Sequence, residues 1–409
     1  MSFDIALSGV DAANTDLNVI SNNIANVDTT GFKESDTEFA DVYAQTQQGV
    51  ASTATGNGVA VADVAQQFGQ GNITTTSNNL DLALSGNGFF VLSNNGAISY
   101  TRNGAFQVNQ NGDLVDSSGD MVQGYLPLAT GGFNTGELSD MQLTTAESSP
   151  QATTTAAINV NLPSNATAPA DATFSPTDPA SYTNSTSLTV YDSLGAAHTA
   201  QLYFIKGATA NQWTTQLYVD GTPVGAAPQA LDFSTSGALT TPANGQIAFD
   251  GYTPATGAAA MNMTFDFSGS TQYGDSFGVN SIDPTGYTTG SLTGISISST
   301  GVVQANFTNG QSTTLGQLAL ANFANPQGLQ QEGDTQWVQS YASGVPVNGV
   351  AGGSGFGTIQ SGALEDSNVD ITSQLVDMIT AQRAFQSNAQ MISTEDQLTQ
   401  DIINIPSQG

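Results

Sequence analysis

The 409-residue sequence has no cysteine, a single histidine and only four basic residues, Lys33, Arg102, Lys206 and Arg383. Without cysteine there are no disulfides, no thiolate catalysis and no cysteine-ligated metal. One histidine excludes a histidine-rich metal site, and the alternating run "AAHTAQLYF" puts His198 on the surface of a strand. Against the four cations stand 34 acidic residues, giving a formal net charge of −30. Such a surface repels phosphate backbones and anionic lipid, so no nucleic acid and no membrane surface is expected as a partner. No apolar run reaches the ~18 residues of a membrane-crossing helix, so no membrane insertion is predicted. The start of the sequence lacks the basic and apolar stretches of a cleaved secretory signal, so export would need a route without one.

Recognisable reaction chemistry is equally sparse. Asp113, Asp116 and Asp120 in "NGDLVDSSGD" offer oxygen ligands but not the spacing of a calcium loop, and they read as turn formers. The run "GGSGFG" from Gly352 to Gly357 lacks the spacing and the following lysine of a phosphate cradle, and it reads as a flexible link. No carboxylate pair stands in a context suited to glycoside hydrolysis. No catalytic residue, cofactor site or metal site is therefore assigned. A secreted all-β enzyme or adhesin is the rival to a structural, non-enzymatic role.

What the sequence does contain is helical periodicity at both ends and β patterning between them. Val10, Ala13, Leu17, Ile20, Ile24 and Val27 recur at intervals of three and four residues. Ile371, Leu375, Met378, Gln382, Phe385, Ala389, Ile392, Thr399 and Ile403 repeat the pattern, with Asp396 interrupting it. Gly31 is the expected stop of the first helix, Asp366 and Ser367 the expected caps of the second, and Pro406 its close. Both stripes are narrow and flanked by Asn, Ser and Thr, which are mediocre helix formers. The two helices are expected to pair, and the pair would still expose apolar surface that only neighbouring molecules can cover.

Between them, Gly86-Asn87-Gly88, Asn95-Gly96, Asn103-Gly104 and Asn111-Gly112 punctuate short apolar strands as hairpin turns. "SLTVYDSLGAAHTAQLYFIK" and "QWTTQLYVDGTPVG" alternate as half-buried strands in a region rich in Thr, Ser, Ala and Pro. The predicted fold is mainly β with α-helical termini: paired coiled-coil-like helices, a β domain built from both chain halves, and a second β domain inserted in it. The expected boundaries are 1–30 for the first helix, 31–71 for an extended connector, 72–141 and 285–357 for the split β domain, 142–284 for the insertion, and 358–409 for a connector with the last helix.

Three blocks carry a family resemblance. "ALSGVDAANTDLNVISNNIANVDTTGFKESDTEFADVY" closely resembles the N-terminal signature of bacterial flagellar axial proteins, the rod and hook family. "LDLALSGNGFFVL" resembles that family's next shared block, and "GALEDSNVDITSQLVDMITAQRAFQSNAQMISTEDQL" its C-terminal signature. The inserted segment, with Trp213 and "YVDG", is similar to the hook members rather than the shorter rod members. A distal rod protein with an enlarged insertion is the alternative.

The resemblance implies a structural subunit that self-assembles into a curved, flexible tube, a universal joint between rod and filament in motility. It implies a helical homopolymer with terminal helices innermost, and delivery by the flagellar type III export apparatus to an extracellular site on the flagellum. The distal rod protein, a hook cap and the hook–filament junction protein would be its other partners. The residues expected at the assembly interface are Val10, Leu17, Ile20, Ile24, Leu375, Met378, Phe385 and Ile392, with Asn22, Asn23 and Asn26 of "SNNIAN" either bonding between subunits or lining the channel. Polymerisation is expected to rise with ionic strength, since strongly anionic subunits repel one another.

Overall fold

A computed structural model describes residues 2–42, 56–143 and 146–404. Residues 43–55 of the expected connector, and Pro406, lie outside the described residues. The chain is mainly β with a helix at each end, and it divides into two units. The first comprises Met1–Thr145, Gly294–Asn306 and Ser312–Gly409, and the second Ala146–Thr293 with Phe307–Gln311.

In the β part of the first unit, strands Ser312–Asn322, Met121–Tyr125, Phe89–Asn94, Ala97–Thr101 and Gln336–Val338 lie side by side in one sheet. Successive residues of a strand point to opposite faces. Phe90 and Leu92 thus join a core with Leu82, Phe106 and Leu318, while Phe89 and Val91 join another with Tyr100, Phe323 and Trp337. Burial on both faces explains why "FFVL" is apolar without alternation. Asn95 and Gly96, at φ 51° and 94°, make the expected hairpin turn. Asn103-Gly104 does not. Gly104 is there for close approach, because a Cβ would stand 1.7 Å from the carbonyl oxygen of Leu82.

The second unit has a four-stranded sheet, in the order Gln246–Tyr252, Met261–Asp266, Thr155–Asn161 and Gly278–Pro284. Its five-stranded sheet is a meander of Asn184–Tyr191, Ala197–Lys206, Gln212–Val219, Thr222–Phe233 and Leu239–Thr241. Strict alternation sends Trp213, Thr215, Leu217 and Val219 inward from a single strand. They meet a shared core that includes Phe204, Phe249, Met263 and Phe265.

Helix α1 (Ser2–Ala25), the antiparallel pair β1 (Ser35–Asp41) and β2 (Val59–Gln66), and helix α2 (Ile371–Asn404) form the remainder of the first unit. The expected extended connector therefore contains a hairpin, which packs on α1: Ser8 Oγ donates to the Ile5 carbonyl and accepts from the Val59 N–H. α1 stops at Ala25, short of Gly31. Asn26 donates its side-chain amide back to the Asn22 carbonyl, and the Val27 N–H reaches only to Ile24, so local bonds replace the helical ladder. α2 is capped by Asp370, not by Asp366 or Ser367. Its Oδ1 accepts from the Thr372 and Ser373 N–H groups at 2.8 and 3.2 Å. Asp366 instead accepts from Thr74, and Ser367 from the Val369 N–H.

Candidate assembly interface

Two contacts fix the pairing of α1 with α2. Near one end, Asn23 Nδ2 donates to Gln374 Oε1 at 3.1 Å. Near the other, Gly9 faces Asn388 so closely that a Cβ would lie 2.6 Å from its amide nitrogen. Both contacts step by the same number of residues along α1 and back along α2. The helices are therefore antiparallel and in continuous register over about two heptads.

On the α1 side Ala6, Ala12, Ala13, Ile20 and Asn23 are buried. On the α2 side Ala381 is buried, and Gln374, Met378, Phe385, Asn388, Ala389 and Ile392 are half-buried. Val10, Leu17, Ile24 and Asn26 are half-buried as well. Leu375, 47% exposed, and Ile371, 46% exposed, stand outside the seam expected from their spacing. The Asn23–Gln374 bond explains the shift, since turning Gln374 toward α1 rotates its neighbours away.

The asparagines separate by role. Asn23 is 1% exposed, donates also to the Ser35 carbonyl at 2.8 Å, and accepts from the Ser35 N–H at 3.0 Å. It joins α1, β1 and α2 inside one chain. Asn22 is exposed and accepts from Asn26 Nδ2 at 3.0 Å.

The first unit also holds a charge cluster that sequence reading did not find. Lys33 Nζ is 2.6 Å from Glu365 Oε1, and Arg102 Nη1 is 3.3 Å from Glu365 Oε2, all three side chains being buried. Lys33 also donates to the Gly69 carbonyl, and Glu365 Oε1 accepts from the Gly71 N–H. Burial pulls Lys33 and Arg102 below their ordinary values, against the opposing pull of Glu365. The one signal in the sequence was scarcity, because a chain with so few cations leaves little choice of partners.

His198 also departs from expectation. It is buried in the second unit, with Nδ1 2.6 Å from Asp220 Oδ2 and Nε2 3.3 Å from Asp192 Oδ2. Tyr252 donates to Asp220 and Thr256 to Asp192, completing the cluster. Two carboxylates facing both ring nitrogens call for two donors, which only the imidazolium supplies. Burial works against that charge, yet bonds to Asp220 and Asp192 raise His198 overall. Burial likewise opposes ionised Asp192, but hydrogen bonds from Thr256, Ala196, His198 and Leu194 hold it at about 2. Asp116 does act as a turn former, accepting from the Ser118 and Asp120 N–H groups at 2.9 Å. Among the described residues there is no cluster able to hold a metal ion.

Comparison with known proteins agrees with this architecture along the whole chain. Residues 3–33 match the family described as flagellar basal body rod protein, and residues 83–173 the flagellar hook protein FlgE/F/G D1 domain. Residues 159–287 match the flagellar basal body protein FlaE D2 domain, and residues 360–405 the flagellar basal body rod FlgEFG protein C-terminal family. The chain is 39% identical to the flagellar hook protein FlgE of Salmonella typhimurium over 99% of its own length and 100% of the relative's. It is 39% identical to that of Escherichia coli K12 over the same shares, and 31% identical to that of Treponema pallidum over 98% of each chain. In fold it is similar to the crystal structure of Helicobacter pylori flagellar hook protein FlgE2, with a TM-score of 0.53 at 15% identity over 71% of this chain and 100% of that one.

Proposed function

This chain belongs to the flagellar hook protein family and is a structural subunit of the bacterial hook, and from that premise we propose how it holds to its neighbours. The α1–α2 pair is the joining element. The observation that carries this reading is the surface of α2: among its described side chains Ala381 alone is buried, while Ile371, Leu375, Val376, Ile379, Met391 and Leu398 are roughly half exposed. Apolar surface of that extent is stabilised at about 25 cal/mol per Å2 when water is removed from it. Neighbouring subunits remove it. Ordering of the helices and growth of the polymer are then one event, with the ordering entropy offset at the interface.

Val10, Leu17, Ile24, Met378, Phe385 and Ile392 hold the pair together, and Leu375 and Asn22 face neighbours. In chain order the inserted β domain interrupts the split one. The polymer lies outside the cell, delivered by the flagellar type III export apparatus. It contacts the distal rod protein at its base, and the hook cap and the hook–filament junction protein at its tip. Its work is mechanical, without catalysis, cofactor or metal. Because each subunit is strongly anionic, polymerisation rises with salt.

Imaging the purified polymer by electron microscopy tests the reading. A curved tube with α1 and α2 innermost is expected. A tube with α2 on its outer surface overturns the assignment of the interface, and a straight, rigid tube favours the distal-rod alternative.

A further inference from the structure

Three of the four basic side chains are engaged inside the chain. Lys33 and Arg102 meet Glu365, and Lys206 Nζ donates to the carbonyls of Gly207, Thr209 and Gln212. The fourth, Arg383, is exposed on α2 and has no ion pair among the described residues. In a chain of net charge −30 it is the one Lys or Arg presented to a partner. It ends a row. Ile371, Leu375, Ile379 and Arg383 follow one another at intervals of four, the spacing that forms a ridge on a helix. The three apolar members are 46, 47 and 51% exposed.

The other side of α2 borders a groove of about 360 Å3 between α1, β1 and α2. Val19 and Phe39 give it apolar lining, and Asp16, Asp36 and Asp377 give it carboxylates with no cation among them. Thr37, 7% exposed, also lines it. Burial first, and then the charges of Asp36, Asp370 and Asp377, raise the adjoining Glu34 carboxyl. Ridge and groove are thus complementary in shape and in charge.

They are also on opposite sides of one helix. Asp377 and Arg383 stand about 120° apart around α2 and about 9 Å apart along it, and the groove wall as a whole lies about 180° from the ridge. No copy can seat its own ridge in its own groove. A contact between copies is then heterologous, and a heterologous contact that does not close repeats into a helical polymer.

We propose that the ridge Ile371–Leu375–Ile379–Arg383 of one copy docks in the groove of a second copy, its guanidinium between the carboxylates of Asp16, Asp36 and Asp377. The planar fork of arginine suits two carboxylates at once, which a lysine ammonium does not. This inference rests on the hook-subunit reading and adds the contact that gives the polymer its direction.

The test uses the full chain and follows polymer by sedimentation and electron microscopy, with the melting of unpolymerised chain as control. R383E is expected to raise the concentration for half-maximal polymerisation at least about tenfold, with R383K intermediate and the melting unchanged. The charge exchange R383E with D377R is expected to recover assembly. R383E that polymerises as wild type overturns the contact, as does R383E that alters monomer melting. A defect that D377R, D36R and D16R all fail to recover places the partner of Arg383 elsewhere and overturns the groove. Wild-type chain that forms no tube under any salt condition overturns the hook-subunit reading itself, and so is distinguishable from failure of the contact.

Discussion

The β body of the second unit and the helical pair of the first treat apolar surface in opposite ways. In the β body two sheets turn alternate residues toward each other, and Phe204, Trp213, Phe249 and Phe265 are all but removed from water. In α2, Ala381 alone among the described side chains reaches that state. A sandwich closes face against face and needs nothing further. A pair of helices closes only one stripe on each, and apolar residues at other angles remain in water. One region is therefore complete as a monomer, and the other keeps the apolar surface that the proposed assembly would cover.

Substitutions should separate the two. Trp213→Ala is expected to have the largest effect on the monomer, about 3–5 kcal/mol, because it opens a cavity in the closed core. Calorimetry should lose or shift the transition of the second unit while that of the first unit's β part persists, and joint loss of both would break the distinction. Glu365→Leu should follow at about 3–5 kcal/mol in the first unit, since Lys33 and Arg102 would be left buried without a counter-charge. A concentration-independent melting loss would check it. Asn23→Ala should cost about 1–3 kcal/mol by leaving the Ser35 N–H and the Gln374 amide unpaired, and hydrogen exchange at Ser35 would report it.

The pH response sharpens the comparison in the second unit alone. His198 is raised in the folded state, so its contribution is complete below its unfolded value of about 6.5 and is lost as pH rises through the folded value. Asp192, held at about 2, contributes above its unfolded value of about 3.9 and is lost as pH falls toward about 2. The melting midpoint of this unit should therefore peak between those limits and decline on the alkaline side, and His198→Gln should flatten the alkaline decline. The smallest monomer effect is expected for Leu375→Ser, within about 0.5 kcal/mol, because the side chain is already half in water. Sedimentation should nevertheless show a clear loss of polymer. A large loss of monomer stability would mean that Leu375 is core after all.

Much of this architecture could be read from residue order. The helical stripes of Leu17, Ile20, Met378 and Phe385 and the alternation around Trp213 are local patterns, fixed by the periods of helix and strand. Rotation of the helices was not legible, because Leu375 and Gln374 differ by only about 100° around the axis and the choice depends on Asn23 across the pair. Asp370 was missed as the cap because Asp366 and Ser367 carry the same capping chemistry a few residues earlier. His198 was misplaced because alternation shows which face a residue takes but not what folds over it. Asp220 and Asp192 reach it from turns, and Tyr252 from a strand of the other sheet.

The pairing of Lys33 with Glu365 spans 332 positions of the chain. A polypeptide synthesised from its N-terminus carries Lys33 without its counter-ion until nearly all of the chain has been made. α1 is in the same position, because Gln374 and Asn388 come later still. The first segment made thus waits for the last, and its pairing closes only when synthesis of the chain is nearly finished. Glu365 acts as a clock as much as a counter-charge.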